Sequence, residues 1–177
     1  MVESQVPQQT NSRTTVLYLG LGSNMGDRRA NLDKALDLLS QRVEVLEVSP
    51  IYDTEPVDNI NQPRFLNLVC KVRTHLAPMG LLTLTKGIES KLGRRQGGPN
   101  TPRPLDIDIL FFGEQVMDNP KLVIPHPRLV ERAFVLVPLA EIAPDLVHPV
   151  NGKTVRQMLE SLQKGVQGVF KWEEGQE

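Results

Sequence analysis

Cysteine is almost missing from this chain of 177 residues: Cys70 is the only one. A lone thiol cannot close an internal disulfide, so the sequence suits a reducing compartment, and Cys70, set in an apolar run, reads as a small buried hydrophobe. Neither sign of charge is in excess. A formal net charge of −1 gives no general pull toward nucleic acid or an anionic membrane, so any basic site must be a local cluster. No apolar run reaches the ~18 residues of a membrane span. Residues 1–15 are rich in Gln, Ser, Thr and Asn and have no apolar centre, which is not the pattern of a signal peptide. Internal repeats are absent as well. A cytoplasmic protein with no nucleic-acid or membrane partner is the expectation. The length and the 40% hydrophobic content allow one well-filled core, hence one domain over residues 14–177 after an extension, residues 1–13, that has little to bury.

What is present begins with Thr15-Val16-Leu17-Tyr18-Leu19-Gly20-Leu21, a β-rich run ending in the turn Gly22-Ser23-Asn24-Met25-Gly26-Asp27. Leu32, Ala35, Leu36 and Leu39 recur at helical spacing, so residues 28–40 should form an amphipathic helix with Asp27 near its N-cap. The turn before it lacks the spacing and the lysine of a P-loop, and reads as packing rather than as a phosphate cradle. Residues 43–48 are strand-like and lead into a long loop, residues 53–63, of the kind that is usually functional. Residues 65–73 resume as a strand with Leu66, Leu68, Cys70 and Val72 on one face, and Phe65, Asn67, Val69 and Lys71 on the other. A ring and a carboxamide two residues apart either pack and cap, or hold a flat heterocycle by stacking and paired hydrogen bonds. Pro78 and Gly93 bracket a second helix with the stripe Leu81, Leu84, Ile88 and Leu92, and Glu89 lies beside that stripe near its end.

The stretch Pro102-Arg103-Pro104-Leu105-Asp106-Ile107-Asp108-Ile109-Leu110-Phe111-Phe112 puts two carboxylates into the most strand-like run of the chain. Asp106 and Asp108 share one face, Leu105, Ile107 and Ile109 the other, and the two aspartate Cα atoms should lie about 6.6 Å apart. That spacing suits carboxylates that hold one Mg²⁺ or bridge a pair of ions about 3.5–4 Å apart; the plainer alternative is an edge strand showing a polar face to water. Without a cation the two charges would oppose each other's ionisation. Upstream runs Gly93-Arg94-Arg95-Gln96-Gly97-Gly98-Pro99-Asn100-Thr101-Pro102-Arg103, a cationic glycine-rich loop that is either a solvated surface loop or a lid over phosphates. Residues 115–117 are expected to form a short arm paired with the aspartate strand. His126, between two prolines, is a fixed ligand or a turn residue, and a last amphipathic helix opens at Thr154. The order β-α-β-β-α-β predicts an α+β, ferredoxin-like α/β sandwich, an antiparallel sheet with helices on one face, plus C-terminal helical additions.

Taken together, the motifs of residues 16–160 resemble the 6-hydroxymethyl-7,8-dihydropterin pyrophosphokinase family of folate synthesis. The resemblance is carried by Tyr18-Leu19-Gly20-Leu21-Gly22-Ser23-Asn24-Met25-Gly26-Asp27, Tyr52-Asp53-Thr54-Glu55-Pro56, Gln62-Pro63-Arg64-Phe65-Leu66-Asn67, Pro102-Arg103-Pro104-Leu105-Asp106-Ile107-Asp108, Pro125-His126-Pro127-Arg128 and Pro138-Leu139-Ala140-Glu141-Ile142-Ala143-Pro144. It implies an ATP-dependent transferase that moves pyrophosphate to the pterin hydroxymethyl group and leaves AMP, with two Mg²⁺ ions held by Asp106 and Asp108. It further implies a pterin site of Thr54, Glu55, Val57, Phe65, Asn67 and Phe134. An ATP site of Glu89, Arg94, Arg95, Arg103, Ile109, His126 and Arg132 is implied too, with Arg94 and Arg103 acting on the reacting phosphates beside the aspartates. A monomer is expected. The competing expectations are another Mg²⁺-dependent nucleotidyl or phosphoryl transferase, and a ferredoxin-like binding module in which the aspartates are only a solvated face.

Overall fold

Alternation along β1 (Thr15–Ser23) sends Leu17, Leu19 and Leu21 into one core and Tyr18 into another, with Gly20 and Gly22 on the Tyr18 face. The computed structural model describes residues 13–56, 61–93, 101–162 and 168–174. In it β1 is central, antiparallel to β4 (Phe65–Thr74) on one side and β5 (Asp106–Phe112) on the other. Helix α1 (Arg28–Ser40) starts as its sequence predicts, the Asp27 side chain accepting from the Ala30 N–H at 3.1 Å. Helix α2 (Pro78–Lys91) has proline in its first turn, and Gly93, just past its end, takes the left-handed φ of 93°.

Strands β2 (Glu44–Val48) and β3 (Tyr52–Thr54) lie in tandem along β4, Val48 opposite Cys70 and Tyr52 opposite Asn67. Pro50 between them has no N–H to give. Ser49 closes the gap: its N–H donates to the Val69 carbonyl at 2.8 Å and its hydroxyl accepts from the Val69 N–H at 2.9 Å. The expected loop over residues 53–63 is thereby corrected, since Asp53 and Thr54 are held in the sheet. A further strand, β8 (Val169–Lys171), pairs with the outer edge of β3, giving the order β5-β1-β4-β3-β8 with β2 also on β4.

The ferredoxin-like order is as expected, but helices cover both faces. Helices α1 and α2 bury the leucine face, while α3 (Ala133–Ile142) and α4 (Val155–Glu160) pack on Tyr18, Val69, Leu110 and Phe111 opposite. That second apolar patch would otherwise be wet, which is why one layer of helices does not suffice. Helix α4 opens with the predicted Thr154, in a full capping box with Gln157. After it the C-terminal addition is the strand β8, whose Val-Phe-Lys pairs with a strand edge rather than continuing helical periodicity. Residues 115–117 do not pair with β5 either. Gly113, at φ 57°, turns the chain away, and β6 (Met117–Asn119) pairs with β7 (Leu122–Ile124) in a separate two-stranded sheet. Arg94, Arg95 and the rest of the expected lid up to residue 100, with Val57 and most of the N-terminal extension, lie outside the described residues.

Candidate active site

The second face of the sheet is divided. Its apolar half is covered by α3 and α4, and its other half forms a cleft whose lining includes Gly20, Gly22, Asn67, Asp106 and Asp108. Register explains the arrangement. Gly22 pairs with Asn67 on one side and Asp106 on the other, and Gly20 pairs with Val69 and Asp108. A carboxamide and two carboxylates therefore flank a floor with no side chains of its own. Gly22 leaves room for the Asn67 amide: a Cβ there would stand 2.5 Å from Asn67 Oδ1 and 3.4 Å from the Phe65 ring. Asn67 is fixed in turn by Thr54, a buried residue on β3, whose Oγ1 accepts from Asn67 Nδ2 at 2.5 Å.

The acidic end of the cleft is crowded. Arg103 Nη1 stands 3.6 Å from Asp106 Oδ1, and Arg132 Nη1 stands 3.7 Å from Asp108 Oδ2. Loss of hydration and then the neighbouring Asp106 charge push the Asp108 carboxyl up to about 7, against the pull of Arg132. His126 Nε2 is 3.9 Å from Asp108 Oδ1, but burial first and Arg132 second bring the imidazole down to about 4, so it is neutral at pH 7. Its Nδ1 accepts from the Arg128 N–H at 3.2 Å, which leaves the proton on Nε2, facing the carboxylate. Arg132 stacks over the Phe134 ring at 5.4 Å, and its Nε is buried without a hydrogen-bond partner among the described residues. Cation, neutral donor and acids thus converge on one space, an arrangement built to receive oxyanions and a cation rather than to be self-sufficient.

Two buried side chains hold this end in place. Asn24, in the turn read as packing, accepts from the Arg103 N–H through Oδ1 at 2.8 Å and donates through Nδ2 to Gln62 Oε1 at 3.0 Å. It clamps the arginine's backbone to the loop before β4. Glu89 on α2 accepts from the Ile107 N–H at 2.7 Å, between the two aspartates and on the outer edge of β5. Glu89→Ala should leave that buried donor unpaired and cost about 1–3 kcal/mol in urea melts; an unchanged midpoint would show that the bond contributes nothing.

Of the residues expected at a site, Thr54, Glu55, Phe65, Asn67 and Phe134 line the cleft together with Arg103, Asp106, Asp108 and Arg132. His126 meets it through Asp108. Glu89 does not line it, being only 1% exposed beneath β5. The Ile109 side chain belongs to the opposite core, as alternation from Asp108 requires, so this residue offers the cleft only its backbone. Sequence reasoning missed Gly20, Gly22 and Gln62. The signal for the glycines was available: they alternate with Leu19 and Leu21 and so had to share a face with Tyr18.

The donors fit Mg²⁺. Two carboxylates on one face are hard oxygen ligands, and magnesium commonly takes one or two of these and fills its shell with water and substrate phosphate. No cluster of three or more His, Cys, Asp or Glu able to hold a metal ion occurs among the described residues.

Sheet order and cleft together define an α+β, ferredoxin-like scaffold with an acidic, arginine-flanked cleft on one face of its sheet. The family model for 7,8-dihydro-6-hydroxymethylpterin-pyrophosphokinase matches residues 18–144, and the chain belongs to that family. It is similar to the 2-amino-4-hydroxy-6-hydroxymethyldihydropteridine pyrophosphokinase of Bacillus subtilis, 46% identical over 129 residues that make up 72% of this chain and 77% of that protein. It is also similar to the folic acid synthesis protein fol1 of Schizosaccharomyces pombe, 37% identical over 163 residues. That match covers 91% of this chain and 22% of that protein, so the chain spans about a fifth of fol1's length. In fold it matches a crystal structure of Plasmodium falciparum HPPK-DHPS with pterin and p-hydroxybenzoate. The TM-score is 0.67 at 20% identity, over 86% of this chain and 43% of that one.

Proposed function

We propose that this chain transfers the pyrophosphoryl group of ATP to the hydroxymethyl oxygen of 6-hydroxymethyl-7,8-dihydropterin, giving the pterin diphosphate and AMP for folate synthesis. The observation that carries the reading is the shared cleft: a corner of rings and amide groups opens, across the glycine floor, onto an acidic end flanked by arginines. Phe65 and Phe134 sandwich the flat pterin, while Asn67, oriented by Thr54, reads its polar edge beside Glu55; a part for Val57 in pterin binding rests on the family resemblance. The triphosphate lies at the other end, with Arg103 and Arg132 drawing off charge and Nε2–H of neutral His126 donating to a phosphate oxygen. Arg94, Arg95 and the Ile109 backbone contribute on that side, and Glu89 holds the aspartate strand beneath it. Two Mg²⁺ ions, when bound to Asp106 and Asp108, supply Lewis-acid polarisation of the phosphate oxygens.

No covalent intermediate is required. The pterin hydroxyl attacks the β-phosphorus and gives its proton to Asp106 or Asp108 or to water, the bond to the α-phosphate oxygen breaks, and AMP leaves with that oxygen. Asp106 and Asp108 are the carboxylates beside the floor that can take the proton, and positioning and charge neutralisation supply most of the acceleration. A monomer as the working unit, one domain from residue 14 onward and a cytoplasmic setting, which the lone Cys70 suits, complete the reading.

Incubation with ATP, Mg²⁺ and the pterin tests the reading: AMP formed only when the pterin is present is expected, whereas ADP would indicate a simple kinase, and no turnover a binding module. Phe134→Ala should weaken pterin binding by about 1–3 kcal/mol, on the scale of base stacking against aromatic side chains. Calorimetry with unchanged pterin affinity would remove Phe134 from the site.

A further inference from the structure

Strand β8 lies beyond residues 18–144, the span that the family model matches, yet its bonds go to the strand that carries Thr54. We infer that β8 is a positioning strand for the pterin, holding the Thr54–Glu55 rim of the cleft at its working height. This rests on the reading that these two residues hold the pterin.

The Gly168 carbonyl accepts from the Glu55 N–H at 3.0 Å and from Arg64 Nη2 at 3.0 Å. Arg64 also bonds the Asp53 carboxylate and donates to the Asp53 carbonyl at 3.2 Å. At the far end of the strand the Trp172 N–H donates to the Ile51 carbonyl at 2.9 Å. Every residue of β3 is paired, Tyr52 with Lys171, Asp53 with Phe170 and Thr54 with Val169. A second tie reaches the other side of the cleft. Glu141 on α3 takes both the Tyr52 hydroxyl and, at 3.2 Å, Lys171 Nζ. The first turn of that helix carries Phe134. One short strand is thus bonded to both elements that bracket the pterin corner.

Core building is not its main contribution. Phe170 is 62% exposed, and no residue of β8 is fully buried, so the strand's effect runs through its bonds to β3 and not through buried apolar area. What it removes is a three-residue edge strand with unpaired N–H and C=O groups directly beneath a binding residue. Gly168 is the point where the two meet. Its φ is 81°, and a Cβ there would stand 2.5 Å from Glu55 Cδ.

Gly168→Ala and Gly168→Asn in the full chain test the inference. Asparagine tolerates the left-handed backbone better than alanine, but both carry the Cβ that meets Glu55. Both variants are expected to raise KM for the pterin roughly tenfold, with kcat and KM for ATP within about twofold of wild type. Hydrogen exchange at the Glu55 amide should quicken in both. A pterin KM at the wild-type value in both variants would overturn the inference, even with a lowered melting temperature, because β8 would then be only an edge cap. Equal rises in both KM values would overturn it too. A wild-type chain that forms no AMP with the pterin would instead defeat the proposed function, an outcome read before any variant is made.

Discussion

Asp108→Asn should leave the metal-free protein at least as stable as wild type at pH 8 while removing most of its turnover. The stability half follows from the carboxyl's environment. Dehydration and the Asp106 charge raise Asp108 to about 7 in the fold, against ~3.9 in an unfolded chain. The fold therefore prefers the protonated form. Its penalty begins as pH rises through the unfolded value and is complete above about 7. With the side chain still 35% exposed, solvent screening reduces this to on the order of 1 kcal/mol. Urea melts in chelator should show the variant equal to wild type or up by that amount at pH 8, with a smaller difference at pH 5, where Asp108 in the fold is already protonated. The turnover half follows from ligand chemistry. An amide oxygen carries no charge to hold Mg²⁺, and losing several kcal/mol of charge stabilisation slows the reaction by roughly 10³-fold. A variant that melts earlier in chelator but still turns over would return Asp108 to the scaffold.

Gly22→Ala is the second substitution expected to act strongly, and it should act on the pterin alone. The backbone at Gly22 has no left-handed requirement, so alanine is allowed conformationally; the cost is contact. Its methyl would stand 2.5 Å from Asn67 Oδ1, and the amide must swing away, breaking its bond to Thr54, which is only 1% exposed. A buried hydroxyl without its donor and a displaced reading group together should cost the pterin on the order of 2–4 kcal/mol. ATP-analogue affinity should change by less than about threefold, because the three atoms nearest the new methyl all belong to Asn67 and Phe65, on the pterin side. Titration calorimetry with each ligand separately decides it. Loss of nucleotide affinity equal to that of the pterin would mean that the floor serves the whole cleft.

Periodicity made most of the scaffold legible. The leucine spacing of α1, the proline and glycine that bracket α2, and the Thr154 cap of α4 are local signals, and each element lies where those signals put it. The alternation in β4 and β5 also made it legible that Phe65 and Asn67 share a face, as do Asp106 and Asp108. What could not be read was set by distance in sequence. Glu89 bonds Ile107 across 18 positions and Asn24 bonds Arg103 across 79, and neither has a spacing rule. Strand β8 is three residues long and owes its form to the open edge of β3, so composition alone gave it no weight. The second helical layer was missed for a related reason: the apolar patch that it covers is assembled from one or two residues of each of three strands, Tyr18, Val69, Leu110 and Phe111. Family resemblance supplied the pairing of pterin with ATP, which face arithmetic could not name.

The central claim is that the hydroxymethyl oxygen of a pterin bound on the glycine floor attacks the β-phosphorus of ATP. ATP carrying separate labels in its β- and γ-phosphates tests this most directly, with products separated after incubation with Mg²⁺ and the pterin. Both labels in equal amounts in a single pterin product, with unlabelled AMP, is the predicted result. Label from the γ-phosphate alone in the pterin, with the β-label retained in ADP, would contradict it.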